Sequence, residues 1–275
     1  MSQPGSRADD MSQNATRDRY TFGDTDVAAH RLRLLAAVYE PSSRAWITAR
    51  AGDLRDARVI DLGCGPGHTT RMLGDVLAPA SLLGLDASPR YVRAAREAMP
   101  EPARFEVHDV TTALPERDAD LLYCRFLLTH LGDPRAALDV WYDAARDGGA
   151  LLVEEVEELR ATDPMLRRYY EIVAAMQAHH RQSLQVGRLL DAAAGATRWT
   201  TVRSETATIA LPASRMAMLH ALNLATWGEA EIARGACEAR EVADIAARLR
   251  AIAEDDEGLI VECEMRRMEL RRAPR

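Results

Sequence analysis

The chain has 275 residues, with 35 basic and 42 acidic side chains, a net charge of −7 and 47% hydrophobic content. That balance argues against a nucleic-acid binder, which needs a basic face to displace counterions from phosphates. The apolar share is ample for a sizeable core. Every cation is an arginine, because the sequence contains no lysine. The four cysteines, Cys64, Cys124, Cys237 and Cys263, form no C-x-x-C pair. A zinc cluster is therefore not expected, and a reduced, cytoplasmic setting fits.

Residues 1–19 are polar and lack the apolar core of a secretory signal, so a disordered tail is expected there. No apolar run reaches the length of a membrane span. From Asp26 to Ala51, apolar residues recur at helical spacing, and Pro41 divides the run into two expected helices. Strand and helix patterns then alternate. Strands are expected at Arg58–Leu62, Ser81–Asp86, Ala103–His108, Ala119–Cys124 and Ala150–Glu154, with helices at about Pro89–Met99 and Pro134–Arg146. Such alternation predicts a parallel sheet with helices on both faces and ligand binding at the carboxyl ends of the strands. Beyond it, helical blocks at Asp163–Gln185 and Ser214–Ala253 surround a strand at Thr200–Leu211, and Gly258–Leu270 reads as a closing strand. The two blocks, at about 160–186 and 213–255, predict a helical lid over the sheet's carboxyl edge. The expected organisation is thus a tail (1–19), an N-terminal helical segment (20–56) and a ligand-binding α/β domain with its lid (57–275).

The chemistry begins at V-I-D-L-G-C-G-P-G, residues 59–67. The glycines fall as G-x-G-x-G, which does not fit the dinucleotide pattern G-x-G-x-x-G. Asp61 precedes them, where a pyrophosphate would be repelled, so the ligand is better imagined as cationic and free of phosphate. Asp86 ends the second strand, where a carboxylate can hold both hydroxyls of a ribose. His108-Asp109-Val110 ends the third, where an acceptor and a backbone N–H could read an adenine edge.

These segments, together with L-L-G-L-D-A-S (82–88), D-L-L-Y-C-R-F-L-L-T-H-L (120–131) and D-G-G-A-L-L-V-E-E (147–155), resemble the class I S-adenosylmethionine-dependent methyltransferases. The likeness is to small-molecule enzymes akin to the ubiquinone-pathway and trans-aconitate types, and it is firm over residues 55–157. It implies a Rossmann-like, seven-stranded, mostly parallel sheet with S-adenosylmethionine as cofactor. The implied cofactor contacts are Tyr20, Asp61, Gly63, Cys64, Gly65, Asp86, Ala87, Asp109, Val110, Cys124 and Arg125. Within that set, Asp61 would sit near the methionine amino group, Asp86 at the ribose, and Asp109 and Val110 at the adenine. Tyr20, in Y-T-F-G-D before Arg31-Leu32, would close over the cofactor.

His130, in the turn after strand four, is the nominated general base, set against a purely structural role. His179 and His180 are read as packing or solvated residues, and no metal site is expected. Tyr169, Tyr170, Met216, Met218 and Trp227 are read as lid core that could line a pocket. Glu154 and Glu155 are expected to face the pocket within an otherwise charged loop, E-E-V-E-E. Arg266, Arg267, Arg271 and Arg272 are expected to be a solvated end.

The expected activity is methyl transfer to an oxygen, nitrogen or carbon of a small molecule, placed in specialised metabolism. The alternative is a cofactor-binding descendant that does cyclase-like or regulatory work, and a nicotinamide oxidoreductase is disfavoured by Asp61 and the glycine spacing. The partner expected is a small-molecule substrate, with no nucleic acid and no membrane, and a homodimer is compatible with the sequence.

Overall fold

A computed structural model describes residues 26–50, 54, 56–99, 101–233, 235, 237–255 and 258–274. The expected tail and Tyr20 lie outside the described residues. Helix α1 (Asp26–Arg50) leads into β1 (Arg58–Leu62), α2 (His68–Leu77), β2 (Ser81–Asp86), α3 (Pro89–Ala98), β3 (Ala103–Val107) and β4 (Ala119–Arg125). A short 3-10 turn (Leu128–His130) and α4 (Pro134–Tyr142) precede β5 (Ala145–Ala161) and α5 (Pro164–His179). A second 3-10 turn (Val186–Leu189), α6 (Leu190–Gly195), β6 (Thr200–Pro212), α7 (Ala213–Ala233), α8 (Ala239–Glu254) and β7 (Ile260–Arg271) complete the chain.

The seven strands form one sheet in the order β3-β2-β1-β4-β5-β7-β6. Strands β1 to β5 are parallel, and β7 runs antiparallel between β5 and β6. The central strands are buried on both faces, as in the run Val59-Ile60-Asp61-Leu62, which a sheet covered by helices on each side requires. One core cluster packs around Ile60, Leu83, Leu122 and Trp141, and another around Val59, Leu73, Leu121 and Tyr123.

Two expectations fail here for the same reason. Residues 26–50 are a single helix that passes through Pro41. Proline removes one helical hydrogen bond, a local cost of about 3 kcal/mol, but α1 is anchored on both sides of it. Tyr39 (2% exposed) packs in the lid core, while Trp46 and Ile47 (5% and 0%) pack under the sheet. The Oγ atoms of Ser42 and Ser43 accept from the buried Arg267 (2.8 Å) and Arg125 (3.0 Å). Tertiary packing outweighs the local break.

The fifth strand is also much longer than Ala150–Glu154. It has 17 residues, and it absorbs Gly148-Gly149 at an irregularity in its pairing with β4 and E-E-V-E-E in its pairing with β7. The acids of one strand meet the arginines of the other: Glu154 opposes Arg267 and Glu155 opposes Arg266. With β6, the extended ends of β5 and β7 make an antiparallel ribbon. Its Val261, Cys263 and Met265, all 0% exposed, form one floor of the lid core with α5, α7 and α8.

Candidate cofactor and substrate site

After Leu62 the chain turns through Gly63 and Gly65, whose φ values of 68° and 53° lie in the left-handed region that glycine enters without a Cβ penalty. A Cβ on Gly63 would lie 2.8 Å from Leu127 Cδ1, so the loop after β4 sits directly against this turn. The N–H groups of Gly63 and Cys64 donate to the Leu85 carbonyl at 2.8 and 3.0 Å. Asp86 then fastens three strand ends together. Its Oδ2 accepts from the Gly65 N–H and its Oδ1 from the Ser88 N–H, each at 2.8 Å. Its carbonyl accepts from the His108 N–H at 2.9 Å. Ala87, beside it, is exposed.

Asp61 is 1% exposed. Its Oδ2 accepts from the hydroxyls of Thr69 and Thr70, both at 2.6 Å, which joins β1 to the first turn of α2. Burial nevertheless pushes its pKa up to about 6, against the opposing pull of those two hydroxyls. At the end of β3, Asp109 Oδ1 accepts from the Thr111 N–H (3.0 Å) and hydroxyl (2.6 Å), which fixes a tight Asx turn. Val110 is buried, and its carbonyl accepts from Trp141 Nε1 at 2.9 Å.

Strand β4 delivers Cys124 and Arg125, both buried. Phe126 follows with φ 55°, an uncommon conformation for a bulky residue and one that clusters at functional sites. It turns the chain toward His130. Glu155 holds this turn: its Oε1 accepts from the N–H groups of Leu127 and Leu128 at 2.7 and 2.6 Å. Glu155 is 0% exposed, and burial, outweighing those N–H groups, pushes its pKa up to about 8 from an ordinary 4.5. The folded state thus keeps a proton that the unfolded chain releases above its ordinary pKa. The stability this confers is complete below about pH 4.5 and is lost as the pH rises toward about 8. Melting curves of wild type across roughly pH 5 to 8 should therefore fall relative to those of Glu155→Gln, which keeps the acceptor oxygen and cannot ionise. The difference should be on the order of 3 kcal/mol.

Glu154 and Glu155 are accordingly not groups that face a substrate. Adjacent residues of a strand point to opposite faces, and both are consumed internally. Glu154 (0% exposed) accepts from Tyr123 Oη at 2.6 Å and pairs with Arg267 at 2.8 Å. The arginines near the C-terminus are not a solvated end either. Arg267 is 7% exposed, and its guanidinium lies over the Trp46 ring. Arg266 bridges Glu157 and Asp191 at 2.8 and 3.1 Å. Arg271 and Arg272 donate to the carbonyls of Gly148 and Ala145, respectively.

Beside the turn after β4, a cavity of about 100 Å³ lies between α1, β5, α5 and α7. His130 lines it together with Thr129 and Arg31. Burial and the Arg31 charge hold the His130 pKa down to about 3, so its imidazole is neutral at physiological pH. Tyr169 and Tyr170 of α5 and Met216 of α7 line the cavity, whereas Met218 is 45% exposed. A larger polar groove of about 350 Å³ lies among Arg58, Ser81 and Arg104, at the amino ends of β1 to β3 and so on the edge of the sheet away from the glycine turn. His179 and His180 stack edge to face on the end of α5, and no cluster of three metal-ligating side chains occurs among the described residues.

Several lining residues lay outside the sequence reading: Phe126, Gln177, His220 and Asn223. A signal was present. Tyr169, Val173 and Gln177 recur every four residues, and Met216, Leu219, His220 and Asn223 fall at i, i+3, i+4 and i+7. Polar residues on such an otherwise apolar stripe are candidates for a pocket wall.

The fold is Rossmann-like and α/β, with the seven-stranded, mostly parallel sheet seen in methyltransferases. Residues 60–151 match the family model described as a methyltransferase domain. Among curated proteins, the chain is 37% identical over 99 residues to trans-aconitate 2-methyltransferase of Variovorax paradoxus, covering 36% of this chain and 38% of that one. It is 36% identical over 122 residues to the enzyme of the same name from Methylobacterium nodulans, covering 44% and 47%. The chain thus spans less than half the length of these relatives.

Among solved structures, it superposes on geranyl diphosphate C-methyltransferase from Streptomyces coelicolor, solved with S-adenosylhomocysteine. The TM-score is 0.53 at 13% identity, over 85% of this chain and 76% of that one. It also superposes on the [4+2]-cyclase SpnF, with a TM-score of 0.55 at 17% identity, over 85% and 82%. At these identities the likeness is one of fold. No described helix is long and apolar enough to cross a membrane.

Proposed function

We propose that the chain is an S-adenosylmethionine-dependent methyltransferase that acts on a small molecule held beneath its helical lid. The observation that carries this reading is the junction at Asp86, which binds the ends of β1, β2 and β3 around a left-handed glycine turn. The residues fit such a cofactor. The open backbone at Gly63 and Gly65 suits close approach of the methionine part, and Asp61, buried and hard to ionise alone, suits a neighbouring ammonium. The Asp86 carboxylate, at the end of β2, suits the ribose hydroxyls, while Asp109 and Val110 border the adenine. Cys64, Ala87, Cys124 and Arg125 complete the wall through their backbone.

The bound cofactor would supply an activated methyl group. The protein's part is to align the acceptor and exclude water, which can lower a barrier by several kcal/mol through positioning alone, out of the ~7–11 kcal/mol available to a well-oriented reaction. His130 stands where the turn after β4 meets the lid cavity. Held neutral, it accepts a hydrogen bond from the nucleophile and orients it, rather than removing its proton beforehand.

Calorimetric titration with S-adenosylmethionine tests the cofactor claim, and its pH dependence tests the role of Asp61. A cationic ligand favours the ionised carboxyl, so below about pH 6 binding must first expel the Asp61 proton. Affinity should fall roughly tenfold per pH unit below that point in wild type and stay nearly level in Asp61→Asn. A flat wild-type profile would remove Asp61 from the ammonium site. Formation of S-adenosylhomocysteine in the presence of a metabolite extract distinguishes methyl transfer from cyclase-like chemistry, which consumes no cofactor.

A further inference from the structure

We infer that the lid chamber selects an uncharged, largely apolar hydroxy compound of about the size of a substituted phenol. This deepens the methyltransferase reading and rests on it. The chamber's walls are aromatic and aliphatic, with Tyr39 and Phe126 in edge-to-face contact at 4.8 Å on one side. Set into them are neutral polar groups. Gln177 is 1% exposed and His220 is 5% exposed, yet Gln177 Oε1 and His220 Nδ1 have no hydrogen-bond partner among the described residues. Buried polar atoms are nearly always satisfied, so such an atom on a cavity wall calls for a partner from outside the chain.

The wall is also held in place before any ligand arrives. His220 Nε2 and the Tyr170 hydroxyl are hydrogen-bonded at 2.9 Å, and the imidazole stacks on Tyr169 at 4.4 Å. Asn223, 7% exposed, adds a third neutral group one helical turn further along α7. Burial holds His220 well below its ordinary pKa, so this part of the wall carries no charge.

Charge and volume narrow the ligand further. Among the described residues no carboxylate lines the chamber, so an ammonium compound would enter without a counter-charge. The one guanidinium in the lining, among the described residues, belongs to Arg31, whose field already reaches His130 and Tyr169. A tricarboxylate such as trans-aconitate would therefore bring at least two unmatched charges into apolar surroundings. The roughly 100 Å³ available is less than the ~150 Å³ cavity that admits a benzene ring, so the chamber takes at most one ring, with any substituent directed to its open side. A hydroxyl on such a ring can donate to Gln177 Oε1 or pair with His220 Nδ1, meeting what the wall lacks.

The test uses the full chain saturated with S-adenosylhomocysteine and titrates 4-ethylphenol, 4-ethylbenzoate, 2-phenylethylammonium and trans-aconitate by calorimetry. Failure to bind S-adenosylhomocysteine itself is read first and counts against the cofactor assignment, separately from the chamber. With it bound, 4-ethylphenol should bind at least about tenfold more tightly than each charged probe. Gln177→Leu and, independently, Asn223→Leu should each weaken 4-ethylphenol about fivefold or more, with S-adenosylhomocysteine affinity within about twofold of wild type as evidence of an intact fold. Equal or tighter binding of a charged probe, unchanged 4-ethylphenol affinity in both variants, or no binding of any probe at millimolar concentration overturns the inference.

Discussion

Arg267→Met is expected to lower the unfolding free energy by about 3–5 kcal/mol, because it strands a buried carboxylate. Glu154 is 0% exposed and, among the described residues, has two side-chain partners, the Arg267 guanidinium at 2.8 Å and the Tyr123 hydroxyl at 2.6 Å. The same guanidinium donates to Ser42 Oγ at 2.8 Å and lies over Trp46, so the pair links β4, β5 and β7 to α1. Removing the cation leaves its partner's charge in a closed interior. Removing both charges does not, since a buried pair exchanged for neutral groups of similar size is often close to neutral in stability. Urea unfolding of Arg267→Met, Glu154→Gln and the double variant should give a coupling energy of at least about 2 kcal/mol, with the double variant recovering most of the loss. Additive losses would show that packing of the arginine stem, and not the stranded charge, dominates.

Asp86→Ala should reduce affinity for S-adenosylmethionine by about a hundredfold or more. Two effects add. The carboxylate is the proposed ribose contact, and charge-assisted hydrogen bonds are each worth ~1.5–3 kcal/mol. Both its oxygens also hold backbone N–H groups, of Gly65 and Ser88, so the glycine turn itself loosens. The two parts can be separated with 5′-methylthioadenosine and its 2′-deoxy analogue. Wild type should discriminate between them by roughly tenfold or more, whereas Asp86→Ala should bind both weakly and alike. Equal discrimination in the variant would locate the ribose elsewhere and leave Asp86 as a strut.

Much of the α/β layer was legible because its signals are local. Short β-rich runs bounded by glycine, proline or acid, alternating with amphipathic helices, have few other arrangements. What failed was local punctuation overruled from a distance. Pro41 reads as a break, yet Tyr39 and Trp46 are each claimed by a different core and Ser42 and Ser43 are bound by two buried arginines. The acids at 154–158 read as a loop because the partners of Glu154 and Glu157, Arg267 and Arg266, lie more than a hundred residues away.

By itself the sequence determined the order of the strands' chemistry: a glycine turn after β1 and acids at the ends of β1, β2 and β3. Each of these depends on residue type and on a spacing of a few positions, so each can be read one segment at a time. Only the tertiary structure decided what the acids do. It turned Glu154 and Glu155 from pocket groups into internal braces, drew Asp61 onto Thr69 and Thr70, and brought Gln177, His220 and Asn223 from two helices to one cavity with His130. Burial and the identity of a distant partner set both the charge state and the reach of a polar side chain, and neither is written in its neighbours along the chain.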